Sequence, residues 1–259
     1  MGSAQWAVAL SIGLFFGMVI CLEAGFRVGR RSSAANQQLA HEGIGVIEAT
    51  VFALLGLLLA FSFAGGMSRL DARRQMIVRE ANAISTAYLC LDLLPPDDQP
   101  EMRRLFREYL DTRLQIYENL ADEKTTGQAM ARVTQLQQEI WARAVTASRN
   151  DPSQNIGRLL LPALNEMSGI TTARMIALRT HLPGLILALL IAVALLSALL
   201  AGYAIAKRKY RSWLHMLLYA ALIAVTFYTV LDLDYPRSGG FIHLDAADQA
   251  LRQLRNSIR

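Results

Sequence analysis

Apolar positions along this chain are gathered into four long runs, separated by stretches in which they recur with a helical period. The first run covers residues 5 to 24, the third 184 to 206 and the fourth 212 to 231. The second is densest from Val51 to Phe61. Crossing a hydrocarbon core takes about 20 residues of helix, so each run predicts a membrane segment. Past Gly65-Gly66 the second run changes character without a proline before Pro95. There Leu70, Ile77, Ala81, Ile84, Tyr88 and Leu91 fall on one helical face, and Met76, Ala83, Ala87, Cys90 and Leu94 on a stripe beside it. Gln75, Arg79, Asn82 and Thr86 make the polar side. The pattern predicts one continuous helix over 43–94, roughly 70–80 Å long, with Gly65-Gly66 as its one bend.

Leu94-Pro95-Pro96 stops that helix, and Asp98-Gln99-Pro100-Glu101 starts the next with an acidic cap, an early proline and an acid three residues on. This helix runs to about Asp122, burying Met102, Leu105, Phe106, Tyr109, Ile116, Tyr117 and Leu120. A break at Thr125-Thr126-Gly127 precedes a helix over 128–149 with Met130, Val133, Leu136, Ile140, Trp141 and Val145 inward. The last water-facing helix begins near Ser153 and bends at Pro162. Phe241 to Leu244 is the one candidate extended piece, and a short helix follows from Asp245. The fold class is an all-α integral membrane protein: two transmembrane helices, an antiparallel helical soluble domain, two transmembrane helices. The expected divisions are residues 1–66, 67–182, 183–231 and 232–259.

Composition sharpens this picture. Residues are 53% hydrophobic and 18% charged, and the apolar ones are clustered, as in a membrane protein. The net charge of +5 comes from arginines beside apolar runs, which favours a lipid bilayer over nucleic acid as partner. Cys21 and Cys90 lie in apolar surroundings and read as buried free thiols. The N-terminus lacks a basic leader region, so its apolar run reads as a retained helix. Within it Ala9, Gly13, Gly17, Cys21, Gly25 and Gly29 recur every fourth residue, and the third run has Ala194, Ala198, Gly202 and Ala206. Such ladders let helices approach closely, with Gly13 and Gly17 as the packing positions to test. Glu23 and Arg27 stand at the i,i+4 spacing of a pair.

Several stretches together resemble one family: Arg79-Glu80-Ala81-Asn82-Ala83-Ile84 through Leu91-Asp92-Leu93-Leu94-Pro95, then Leu105-Phe106-Arg107-Glu108-Tyr109, Leu160-Leu161-Pro162-Ala163-Leu164-Asn165-Glu166 and Leu231-Asp232-Leu233-Asp234-Tyr235-Pro236-Arg237. They are similar to the bacterial bestrophin-like family, a domain of unknown function, over nearly the whole chain. That resemblance implies a multi-pass protein of the bacterial inner membrane and a distant likeness to bestrophins, which are pentameric anion channels. Bestrophins line their pore from the second membrane helix, with an apolar neck. By position, Phe52, Leu59 and Phe63 are the candidate neck here. Where eukaryotic bestrophins carry a dense acidic run that binds calcium, this chain has only Asp232 and Asp234, so the resemblance does not extend to calcium gating.

No metal-ligand spacing, nucleophile elbow, phosphate loop or complete dinucleotide fingerprint appears, so neither catalysis nor a cofactor is expected. Polar residues in the apolar runs are the remaining candidates. Glu48 is the sharpest, since carboxylates at membrane depth are costly and mark ion paths, although near a segment end it also reads as water-facing. His215, Tyr219, Thr226 and Thr229 share a quadrant of the fourth run, where they line a hydrated path or bond between helices. Asp232 and Asp234 are candidate ion contacts at the membrane boundary, with Arg237 as a nearby partner. The short loops hold Arg27, Arg30 and Arg31, and Lys207, Arg208, Lys209 and Arg211, which places them in the cytoplasm and the helical domain outside. Arg69, Arg73, Arg74, Arg79, Arg174 and Arg179 form a competing anchor, and the bestrophin likeness implies the opposite sidedness. The reading is a homo-oligomer, pentameric by family analogy alone, that passes small ions passively. The alternative is a non-conducting scaffold or sensor whose helical domain binds a partner.

Overall fold

A computed structural model describes residues 3–33, 41–118, 123–206, 213–235 and 245–258. The described elements are all helical: α1 (Ser3–Ser33), α2 (His41–Leu89), a 3₁₀ turn (Cys90–Leu93), α3 (Gln99–Glu118), α4 (Glu123–Arg149), a π-helical turn (Ile156–Leu160), α5 (Leu161–Arg179), α6 (Gly184–Ile205), α7 (Trp213–Asp234) and α8 (Asp245–Ser257). Spans within α1, α2, α6 and α7 are long and apolar enough to cross a membrane. The candidate extended piece at Phe241–Leu244 lies outside the described residues.

The chain divides into two compact units, residues 1–70 with 181–242, and residues 71–180 with 243–259. In the first, α1 packs against both α6 and α7. Met18 and Leu22 of α1, Leu55 and Leu59 of α2, Ala194 and Ala198 of α6 and Phe227 of α7 share one apolar core. The approach of α1 to α6 is unusually close. A Cβ on Gly25 would lie 1.9 Å from the Leu199 carbonyl oxygen, and one on Gly202 2.0 Å from that of Leu22. Only glycine permits such contact. Gly17 is looser, 3.1 Å from a Leu195 methyl by the same construction, and Gly13 faces open space.

In the second unit α3 buries Met102, Leu105, Phe106, Tyr109, Ile116 and Tyr117, as its period predicts. On α4, Val133, Leu136, Ile140, Ala144 and Ala147 face inward. Trp141, expected inward, is 42% exposed, because it stands about 100° past Ile140 on the wheel. The expected break at Thr125-Thr126-Gly127 falls instead within the first turns of α4, which begins at Glu123. Gly127 is tolerated there with nothing packed on it. Pro162 is the second residue of α5, directly after the π-helical turn, in which the Leu161 N–H donates to Ile156 O. The corner before α5 is made by Gln154, with φ of 58°, and by Asp151, whose carboxylate accepts from the Ser153 and Ile156 backbone N–H groups. Those bonds, led by the Ser153 hydroxyl, hold the Asp151 pKa below its ordinary range. The C-terminal α8 docks on α3 through Leu251, fully buried, and an Arg255–Asp111 pair at 2.7 Å.

Candidate functional site: bundle faces and two charge clusters

Within the first unit, α2 presents two unlike faces. Leu55, Leu59 and Ser62 are buried. Roughly opposite, Ala49, Ala53, Gly56, Ala60 and Ala64 are all exposed. The three neck candidates separate: Leu59 lies in the chain's own core, Phe52 is half-buried with its ring edge-on to Tyr219 at 6.1 Å, and Phe63 is 43% exposed. Glu48 is partly buried, and its Oε1 is enclosed without a hydrogen bond among the described residues.

The polar quadrant of α7 resolves into separate contacts. Tyr219 hydroxyl lies 2.8 Å from Ser197 Oγ of α6, and Ser197 also donates to Ala194 O at 2.7 Å. Thr226 and Thr229 donate back to Leu222 O and Val225 O of their own helix, at 2.8 and 3.0 Å. His215 is exposed. Ser197, wholly buried, is the polar partner that the sequence pattern did not single out.

At one end of the bundle Asp234 gathers three segments. Its carboxylate accepts from Arg69 Nε of α2 at 2.9 Å and from the Leu182 N–H at 2.9 Å, with His181 Nδ1 at 3.5 Å. The His181 ring stacks on Tyr235 at 4.3 Å. Both Asp232 and Asp234 are buried, at 4% and 2% exposure, in the last turn of α7 rather than in a turn beyond it. Arg237, their expected partner, lies outside the described residues. An acid at this point was legible from the sequence, but Arg69, 165 residues away, was not its predicted partner.

A second charge cluster occupies the interior of the helical unit. Glu80 of α2, Arg113 of α3 and Arg174 of α5 are exposed by 0%, 1% and 3%. Arg113 Nε donates to Glu80 Oε1 at 2.6 Å, Arg174 pairs with Glu80 Oε2, and the Tyr117 hydroxyl donates to Oε2 at 3.1 Å. Arg174 also lies 3.6 Å over the Tyr117 ring. Burial first, and the Glu80 carboxylate second, push the Tyr117 phenol well above its ordinary pKa, against the pull of the two arginines. Burial works against the Arg113 charge, yet Glu80 keeps the Arg113 pKa raised. Tyr109, also buried, sits 2.9 Å from Thr171 Oγ1, and its phenol too is pushed up, chiefly by burial. Sequence reasoning missed this cluster, although its signal is present. Glu80 stands at core register between Ile77 and Ile84, and Arg113 four residues from both Tyr109 and Tyr117.

Arg73 is likewise buried, at 5%, and its guanidinium donates to Ala177 O and Thr180 O, capping the end of α5. Of the arginines counted as a competing membrane anchor, Arg73 and Arg174 are therefore interior.

Four apolar helices that share one hydrophobic core define a multi-pass helical membrane protein. The model of the Bestrophin-like domain matches residues 16–242, and the chain belongs to the bestrophin-like family. No curated protein and no solved structure matches it.

Proposed function

We propose that the chain is the subunit of a homo-oligomeric membrane channel that passes small ions, anions foremost, without energy coupling. The observation that carries this reading is the outward face of α2. Ala49, Ala53, Gly56, Ala60 and Ala64 set a stripe of small residues along one exposed side of α2, bordered by the exposed Val46, Leu57 and Phe61. Small side chains admit a neighbouring helix closely. Gly13, open in the single chain, is a second such position. Family membership supports the channel class. A ring of apolar side chains restricts flow by excluding water from a narrow passage. Phe63 is exposed and lies beside the small-residue stripe, so it is the neck candidate best placed for that role. The test is reconstitution in liposomes with several anions and cations. Wild type is expected to carry current, and Phe63→Ala to raise it. Liposomes containing verified, assembled protein that pass no current in either form would overturn the channel.

One observation favours the alternative, a scaffold or sensor. A cleft of about 270 Å³ between α4 and α5 is lined by Thr134, Gln137, Gln138, Trp141, Asn165 and Ser168. An uncharged rim around an exposed tryptophan is the composition of a partner-binding spot. Absent current together with specific capture on Trp141 would select that reading.

For sidedness, the charges of the short loops place the helical unit outside the cytoplasm. The interior positions of Arg73 and Arg174 support this, since neither side chain reaches lipid headgroups. A cysteine at Asn150 is expected to react with an impermeant thiol reagent in intact spheroplasts, and one at Arg208 to be protected. The reverse pattern would invert the topology.

A further inference from the structure

Between α1 and α7 the first unit carries an apolar cleft of about 590 Å³. Its walls run from Val8 to Phe16 on α1 and from Ala221 to Tyr228 on α7. Ile12, Phe16 and Val225 edge it, exposed by 51%, 58% and 62%. The Ser11 hydroxyl at its floor is spent on Ala7 O at 2.9 Å, so it offers no donor to an occupant.

The position of the cleft along the helices restricts what fills it. Beyond one end of the cleft, about half a turn on along α1 and two turns on along α7, Trp6 meets the Tyr235 ring edge-on at 6.2 Å, a pairing typical of the headgroup level. The cleft follows α1 over nine residues and α7 over eight, about 10–12 Å. It closes near the middle of α7, a helix of 22 residues or roughly 33 Å. The cleft therefore occupies one leaflet of a bilayer whose apolar core is about 30 Å thick. A packed transmembrane helix at a shallow crossing angle follows its neighbour past the midplane. A single acyl chain ends there.

We propose that this cleft seats one acyl chain of a membrane phospholipid, with its headgroup at the level of Trp6 and Tyr235. The proposal rests on the membrane reading but not on conduction. An apolar groove facing hydrocarbon is filled in a bilayer, and a bound chain would stiffen the contact of α1 with α7, two helices that share the unit's core.

The test is native mass spectrometry of full-length protein released from nanodiscs of phosphatidylethanolamine and phosphatidylglycerol. Wild type is expected to keep one phospholipid per subunit after the surrounding shell is stripped. Ala221→Phe and Ile12→Trp fill the cleft from opposite walls and should each lower that retained fraction by about tenfold, the equivalent of 1.4 kcal/mol. Ala188→Phe, at an exposed position of α6, should leave it unchanged. Equal retention in wild type and both filled variants would overturn the site. So would loss of the oligomer in those variants with lipid retention intact, which would assign the cleft to a second copy of the chain. Failure of wild type to enter nanodiscs at all would overturn the membrane reading and the lipid site together.

Discussion

Where α1 meets α6 the contact is backbone against backbone, with Gly25, Gly29 and Gly202 offering no side chain to separate them. Where α2, α3 and α5 meet in the other unit, the contact is a carboxylate shared by two guanidiniums and a phenol. The difference fits the proposal that the first unit lies in lipid and the second faces water. In lipid, burying another leucine gains nothing over leaving it in hydrocarbon, so helices associate by close van der Waals approach. In water the apolar effect already gathers α3, α4 and α5, and a buried charge cluster costs desolvation that only well-placed partners offset. Its contribution is to admit one register of three helices. One mode of packing tolerates no added atoms, and the other tolerates no lost partner.

The largest effect that separates the two is expected at Glu80. Glu80→Gln strands Arg113 and Arg174 in the interior and should destabilise the helical unit by about 3–5 kcal/mol, read as faster hydrogen exchange across α3 and α5. Replacing all three charges together, Glu80→Leu with Arg113→Met and Arg174→Met, should recover most of that loss. A Glu80→Gln protein with wild-type exchange would show the cluster to be dispensable.

Next in size is the glycine contact. Gly25→Ala places a methyl against the Leu199 carbonyl and should cost about 1–3 kcal/mol, lowering the midpoint of unfolding in detergent. Gly13→Ala, in open space, should leave the stability of the isolated subunit unchanged. If the two variants melt alike, backbone contact is not what holds α1 to α6.

A smaller effect comes from alkaline pH. The Tyr117 and Tyr109 phenols titrate above their ordinary value in the folded chain, so the neutral forms favour folding. Their contribution is complete below a pH of about 10 and is lost as pH rises from there toward the folded values, at up to roughly 1.4 kcal/mol per pH unit for each phenol. Unfolding of Tyr117→Phe between pH 9 and 11 should have a shallower slope than wild type. Parallel slopes would remove Tyr117 from the account.

The sequence by itself determined most of the elements, though not the start of α4 or the π-helical turn before α5. Apolar runs of membrane length, the helical period of α2 and α3, and Pro95-Pro96 were enough, because period and proline act locally. Its resemblance to the bestrophin-like family was also legible, and the family match over residues 16–242 bears it out. What it left open were pairings across long separations. The ladder on α1 has evenly spaced rungs, yet Gly25 and Gly29 touch α6 backbone while Gly13 touches nothing, since the crossing of two helices selects among equivalent rungs. An acid at core register marks Glu80 as unusual, but its partners stand 33 and 94 residues away. Only the tertiary structure could assign them, because a buried charge is stabilised by whatever the fold brings within hydrogen-bond distance, and that distance is not written along the chain.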